Sequence, residues 1–88
     1  MTNAVGPVLE INEVGRAIAA AIREAYPAAE LQDRGGYIRV LVTGGCIVQR
    51  AAIERALGRR FTLPGDLELV MPAFKGVIAI GEEEVSWR

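Results

Sequence analysis

The 88-residue chain predicts an α+β fold: two helices packed on short, mostly antiparallel sheets, in the order helix, strands, helix, strands. Apolar residues recur at helical spacing across residues 14–25 and again across 52–57, which is the periodicity of a helix with one buried face. Apolar and polar residues alternate from Tyr37 to Thr43, the period of a half-buried strand. Glycine pairs at Gly35-Gly36 and Gly44-Gly45 bracket that strand, where antiparallel connections call for tight turns and positive φ.

In chain order, residues 1–8 read as a flexible tail, because Gly6-Pro7 bars a helix and favours an extended entry. The first helix starts at the N-cap residue Asn12, with Glu13 in its first turn offsetting the N-terminal dipole. Val14, Ile18, Ala21, Ile22 and Ala25 form its apolar stripe, and Pro27 closes it. Glu30 to Asp33 is a short strand, and Tyr37 to Thr43 is the clearest strand of the chain, with Ile38, Val40 and Val42 on one face. Cys46-Ile47-Val48 is strand-like. The second helix runs from about Arg50 to Leu57, burying Ala52, Ile53, Ala56 and Leu57 and pairing Arg50 with Glu54 at i,i+4. Gly58 suits the C′ position, and Phe61 anchors the returning chain. Leu67, Leu69 and Met71 alternate with Asp66 and Glu68 in strand fashion. Pro72 interrupts this pattern, so residues 72–75 read as a loop. Gly76–Ile80 and Glu84–Trp87 form a terminal hairpin across Gly81-Glu82-Glu83. A chain of this length makes one domain, 1–88.

Composition narrows the function. There is no histidine and one cysteine, so the commonest general base and the sulfur and imidazole ligands of a metal site are missing. No catalytic, cofactor-binding or metal-binding residue is assigned. No apolar run approaches the roughly 20 residues of a membrane span. No secretory signal is visible, and the single cysteine makes the cytoplasm the default. The formal net charge of −1 hides a segregation, for residues 34–60 carry six arginines against one acid, Glu54. A basic stretch of that kind suits an acidic or polar partner surface. It lacks the interleaved aromatics of a nucleic-acid binder.

Each candidate site has a plain structural counterpart. Cys46 is either a nucleophile or a buried strand residue, and no histidine stands ready to activate it. Asp33 and Arg34 pair an acid with an electrophile, or Asp33 merely stabilises a turn. The glycine pairs are hairpin turns or a phosphate cradle, though neither matches a phosphate-binding spacing. Consecutive Glu82, Glu83 and Glu84 form a solvated tip rather than a metal site. Tyr37 and Trp87 are core-edge aromatics or stacking platforms. Pro72 to Gly76 places Phe74 beside Lys75, the only lysine. An aromatic flanked by small residues there is either an interface anchor or part of the core.

Taken together, Asp33-Arg34-Gly35-Gly36-Tyr37, Leu57-Gly58-Arg59-Arg60-Phe61 and Phe74-Lys75-Gly76 resemble, in order and spacing, the effector or coupling proteins of bacterial multicomponent diiron monooxygenases. Gly6-Pro7-Val8 is similar to the toluene and alkene branch in particular. The resemblance covers about residues 5–87. It implies a cofactorless regulatory protein that docks on the diiron hydroxylase, modulates access of substrate and dioxygen, and couples functionally to the reductase or ferredoxin, with neither nucleic acid nor membrane as partner. It further implies that Gly6, Pro7, Val8, Ala73, Phe74 and Lys75 form the partner interface, and that Asp33, Gly36, Tyr37, Gly58 and Phe61 are structural. The tail is shorter than in the methane branch and no extension follows Trp87, which suggests a minimal version. The alternative from another class is a small-molecule-sensing α+β regulatory domain that uses the glycine pairs as a rim. An RNA-binding module built on the arginines ranks last.

Overall fold

In the computed structural model, which describes residues 3–88, most of the segment expected to be a tail is instead a central strand. Met1 and Thr2, the start of that expected tail, lie outside the described residues. Strand β1 (Ala4–Glu10) is followed by helix α1 (Glu13–Ala25) and strands β2 (Glu30–Asp33), β3 (Tyr37–Thr43) and β4 (Cys46–Gln49). Helix α2 (Arg50–Leu57), the single turn α3 (Gly65–Glu68) and strands β5 (Ala73–Lys75), β6 (Ile78–Ile80) and β7 (Glu84–Trp87) complete the order. One sheet runs β2-β3-β1-β5 and a second runs β4-β7-β6, all antiparallel. The α+β class holds, with a strand now ahead of the first helix.

The tail expectation failed because Gly-Pro breaks regular structure only where the backbone donor is needed. Val5, Pro7 and Leu9 alternate into the core. Pairing of β1 with β3 runs from Ala4 opposite Thr43 to Glu10 opposite Tyr37 but skips Gly6 and Pro7. The missing proline N–H therefore falls in a gap of the ladder. Residues 72–75 correct the loop expectation in the same way. Pro72 precedes the strand, and Ala73–Lys75 add an edge to β1 from Gly6 to Val8. The strand-like alternation over 67–71 is also corrected. Leu67 and Val70, three apart, turn inward from α3 and the turn after it while Leu69 stays exposed.

Helix α1 starts as its cap residue predicts: Asn12 Oδ1 accepts from the Gly15 N–H at 2.8 Å. Ile18 and Ile22 are fully buried on its inner stripe, whereas Ala25 is exposed. In α2 only Ile53 is fully buried; Ala56 faces solvent. Gly58 ends the helix at φ 83°, the left-handed conformation that suits glycine. Trp87 is not an edge residue. It is the largest fully buried side chain, set in a continuous core with Leu9, Ile22, Val40, Ile53 and Phe61.

Cys46 sits directly opposite Trp87 in the β4–β7 ladder and is fully buried. Desolvation pushes its thiol up to about 11 from an ordinary 9.0, so the reactive thiolate is scarce at neutral pH. The strand-residue reading holds.

The start of α2 is tied to the β6–β7 hairpin by one arginine. Arg50 reaches Glu54 Oε2 and Glu83 Oε2, both at 3.0 Å, and donates from Nε to the Glu82 carbonyl at 3.1 Å. Glu54 also accepts from the Phe61 backbone N–H at 3.0 Å. That N–H is the leading cause holding the Glu54 carboxyl below its ordinary 4.5, with the charge of Arg50 adding to it. The acidic tip is thus partly engaged: Glu83 binds Arg50 and Glu84 accepts from Gln49 at 3.0 Å.

Two measurements check these contacts. A carboxyl with a depressed folded pKa stabilises above its unfolded value and loses that contribution as pH falls through the folded one. Glu54→Gln is therefore expected to melt below wild type at pH 7, and the gap is expected to narrow as pH falls below the ordinary glutamate value of 4.5. Thermal melts across that range decide it. Native Cys46 is expected to react with a thiol reagent about a hundredfold or more slowly than the denatured chain, since reaction must await opening. Absorbance-detected labelling with and without denaturant measures this.

Candidate functional site

One face of the four-stranded sheet packs on the core; the other carries the candidate site. Strand alternation turns Val5, Pro7 and Leu9 inward and leaves Gly6, Val8 and Glu10 on the opposite side. On β3, Val40 and Val42 are buried while Tyr37, Arg39 and Leu41 alternate with them. Register then aligns Gln32, Arg39, Val8 and Ala73 in one row across all four strands. Beside that row, Lys75 lies opposite Gly6.

These positions frame a shallow groove of about 560 Å3. Gly6 and Val8 line its middle, Pro72 to Lys75 its β5 side, and Arg34, Tyr37 and Arg39 its β3 side. Tyr37 is 43% exposed on this face, and Phe74, also 43% exposed, borders the groove from the edge strand, opposite Pro7 in the register. Arg34, Arg39 and Lys75 bring three cations, and no carboxylate lines the groove. Arg34 Nη2 donates to Gln32 Oε1 at 2.7 Å.

Five of the six residues expected at an interface meet here: Gly6, Val8, Ala73, Phe74 and Lys75. Pro7 is the exception. It is fully buried and does not line the groove. Arg34, Tyr37 and Arg39 were not among the six. Their outward positions follow from the alternation of β3, but only the strand order β3-β1-β5 sets them beside Phe74. Tyr37, expected at the core edge, stands in the open.

The other candidates resolve as turns and surface. Asp33 Oδ1 accepts from the Gly35 N–H at 2.8 Å and closes the β2–β3 turn. The two glycine pairs flank β3 at its opposite ends, so they do not share one ligand rim. Among the described residues, no group of three or more His, Cys, Asp or Glu is placed to hold a metal ion. Among the described residues no helix is long and apolar enough to cross a membrane. The groove offers surface, charge and aromatic anchors, which are means of binding rather than of bond-making.

A family model described as the MmoB/DmpM family matches residues 3–88. The effector subunit of the alkene monooxygenase system of Xanthobacter autotrophicus (strain ATCC BAA-1158 / Py2) is 36% identical over 87 residues, covering 97% of this chain and 85% of that protein. Two chains from solved structures of the phenol hydroxylase–regulatory protein complex share the fold. One superposes with a TM-score of 0.86 at 22% identity, covering 98% of both chains. The other has a TM-score of 0.78 at 25% identity, covering 97% of this chain and 100% of that one.

Gly6 joins the fold to the groove, because a Cβ there would stand 2.2 Å from the Val40 carbonyl oxygen, at a φ of 150°. Gly6→Ala is expected to lower the urea midpoint by an amount equivalent to about 2 kcal/mol or more. Chemical denaturation of the two proteins is the check.

Proposed function

Since the chain belongs to the MmoB/DmpM family, we propose that it is the effector subunit of a multicomponent monooxygenase, docking on the hydroxylase and leaving oxygenation to that partner. The observation that carries this reading is the groove on the open sheet face, where anchors and cations gather without a nucleophile or a metal-ligand set. Gly6, Val8, Ala73, Phe74 and Lys75 supply the docking strip. Behind that strip Pro7 is fully buried and Leu9 belongs to the hydrophobic core. The same reading sets the protein in the cytoplasm and couples it functionally to the reductase or ferredoxin. Nucleic acid and membrane are not its partners.

A protein without reactive groups alters a reaction by binding one conformation of its partner better than another. A difference of about 1–3 kcal/mol shifts that equilibrium about five- to 150-fold. One or two aromatic anchors with surrounding polar contacts supply energies of that order. In this mechanism Phe74 and Tyr37 are desolvated against the hydroxylase only in its activated shape. The binding free energy of the groove then opens the route for substrate and dioxygen and matches electron delivery to oxygenation.

Phe74 is 43% exposed on an edge strand, so its truncation leaves the core intact. Phe74→Ala is expected to keep the melting temperature within about 2 °C of wild type while raising the concentration for half-maximal hydroxylase activation about tenfold. Turnover and the ratio of product to reductant consumed, titrated against added effector with the cognate hydroxylase and reductase, measure both. A drop of many degrees with activation unchanged would remove Phe74 from the interface.

A further inference from the structure

We propose that the groove receives a carboxylate-bearing strip of the hydroxylase surface, with Arg39 as its central contact and Arg34 and Lys75 on either side. This rests on the docking reading above and assigns its electrostatic partner. Arg39 occupies the middle of the Gln32–Arg39–Val8–Ala73 row and is half-buried. Among the described residues no carboxylate lies within ion-pair reach of Arg34, Arg39 or Lys75. The contrast lies elsewhere on the chain, where Arg50 holds Glu54 and Glu83 and Arg59 holds Glu13.

Two carboxylates share the outer face but stand at its margins. Glu10 is opposite Tyr37, and Glu30 is opposite Leu41 with its carboxylate held by the Gln32 side chain. Neither lines the groove. The net charge of the chain is −1, so three unpaired cations in one groove make a local field opposite in sign to the whole. Such a field orients the molecule as it approaches an acidic surface.

The apolar floor beside Arg39, from Val8 and Ala73, reduces the screening of any pair formed there once water is displaced. A guanidinium meets a carboxylate with two parallel hydrogen bonds, which favours arginine over lysine at the centre. A phosphate backbone would need a longer path. Arg55, Arg59 and Arg60 gather instead in a separate cleft at the end of α2, sharing no residue with the groove.

The test is a binding titration of the full chain against its cognate hydroxylase at about 50 mM and about 200 mM monovalent salt, between which the Debye length shortens from about 14 to about 7 Å. Wild type, Arg39→Ala, Arg39→Lys, Lys75→Ala and the control Arg23→Ala are compared. Arg23 lies exposed in the last turn of α1, away from the groove. Arg39→Ala is expected to weaken binding about three- to tenfold at the lower salt, with the difference shrinking at the higher. Arg39→Lys should fall between, Lys75→Ala should show a smaller loss of the same salt dependence, and Arg23→Ala should match wild type. Melting temperatures should agree throughout, since Arg39 has no internal ion pair to lose. Salt-independent binding with Arg39→Ala equal to wild type overturns this proposal while leaving docking intact. Tighter capture of a single-stranded RNA oligonucleotide than of the hydroxylase, abolished by Arg39→Ala, overturns it in favour of phosphate. Folded wild type that neither binds nor activates the hydroxylase at either salt overturns the docking reading itself.

Discussion

The close seating of β1 between β3 and β5 is the constraint on which the groove depends. At Gly6 the Val40 carbonyl oxygen occupies the space where any side chain would begin, at 2.2 Å from a Cβ. At Gly76 a Cβ would meet the Arg88 carbonyl oxygen at 2.7 Å and a Val5 methyl at 2.8 Å, again at a positive φ of 105°. Both positions are therefore closed to any residue with a side chain, which lets the backbone approach closely there. Val5, Pro7 and Leu9 are buried on the inner side of the sheet, and on its outer side lies a trough lined by Gly6, Val8, Arg39 and Lys75. Wider spacing would loosen the packing and flatten the trough at once.

An antiparallel sheet can keep one face wet because hydrophobic burial requires only one side of each strand. Here α1 fills that buried side through Ile18 and Ile22, and the outer side is left available for another molecule. The stability of the fold and the chemistry of the surface are therefore written on alternate residues of the same strands. That separation lets an effector vary its docking residues without changing its core. It also suits a protein that acts by favouring one conformation of a partner, since such a protein benefits from a rigid, preformed face. Away from the groove lining, the Arg50 network ties α2, the following loop and the last hairpin through Glu54 and Glu83.

Much of this was legible in the chain itself. Asn12 caps α1, Gly58 terminates α2 in the left-handed region, Asp33 closes a turn, and the Tyr37–Thr43 alternation marks its strand. These are local interactions, complete within a few residues. Three readings failed for a shared reason. Ala4–Glu10 looked like a tail because Gly6-Pro7 reads as a breaker. Ala73–Lys75 looked like a loop because Pro72 precedes it. The stretch around Leu67 looked like a strand because a single helical turn and an alternating strand share an apolar spacing over so few residues. In each case the deciding partner lies far along the chain: β3 and β5 for the first, β1 for the second, and the core that receives both Leu67 and Val70 for the third.

The primary structure alone determined the class of fold, both main helices and their caps, the strand periodicities, and the absence of histidine with its exclusion of the usual catalytic chemistry. Five of the nine residues that line the groove, Gly6, Val8, Ala73, Phe74 and Lys75, could also be named from it through the family likeness. Only the folded arrangement decided that β1 runs through the middle of a sheet, that Pro7 points inward, and that Arg34, Tyr37 and Arg39 share a surface with Phe74 and Lys75. The physical reason is separation: a cap or a turn is a contact between neighbours in sequence, whereas strand order unites residues more than thirty positions apart, as Arg39 and Ala73 are through Val8.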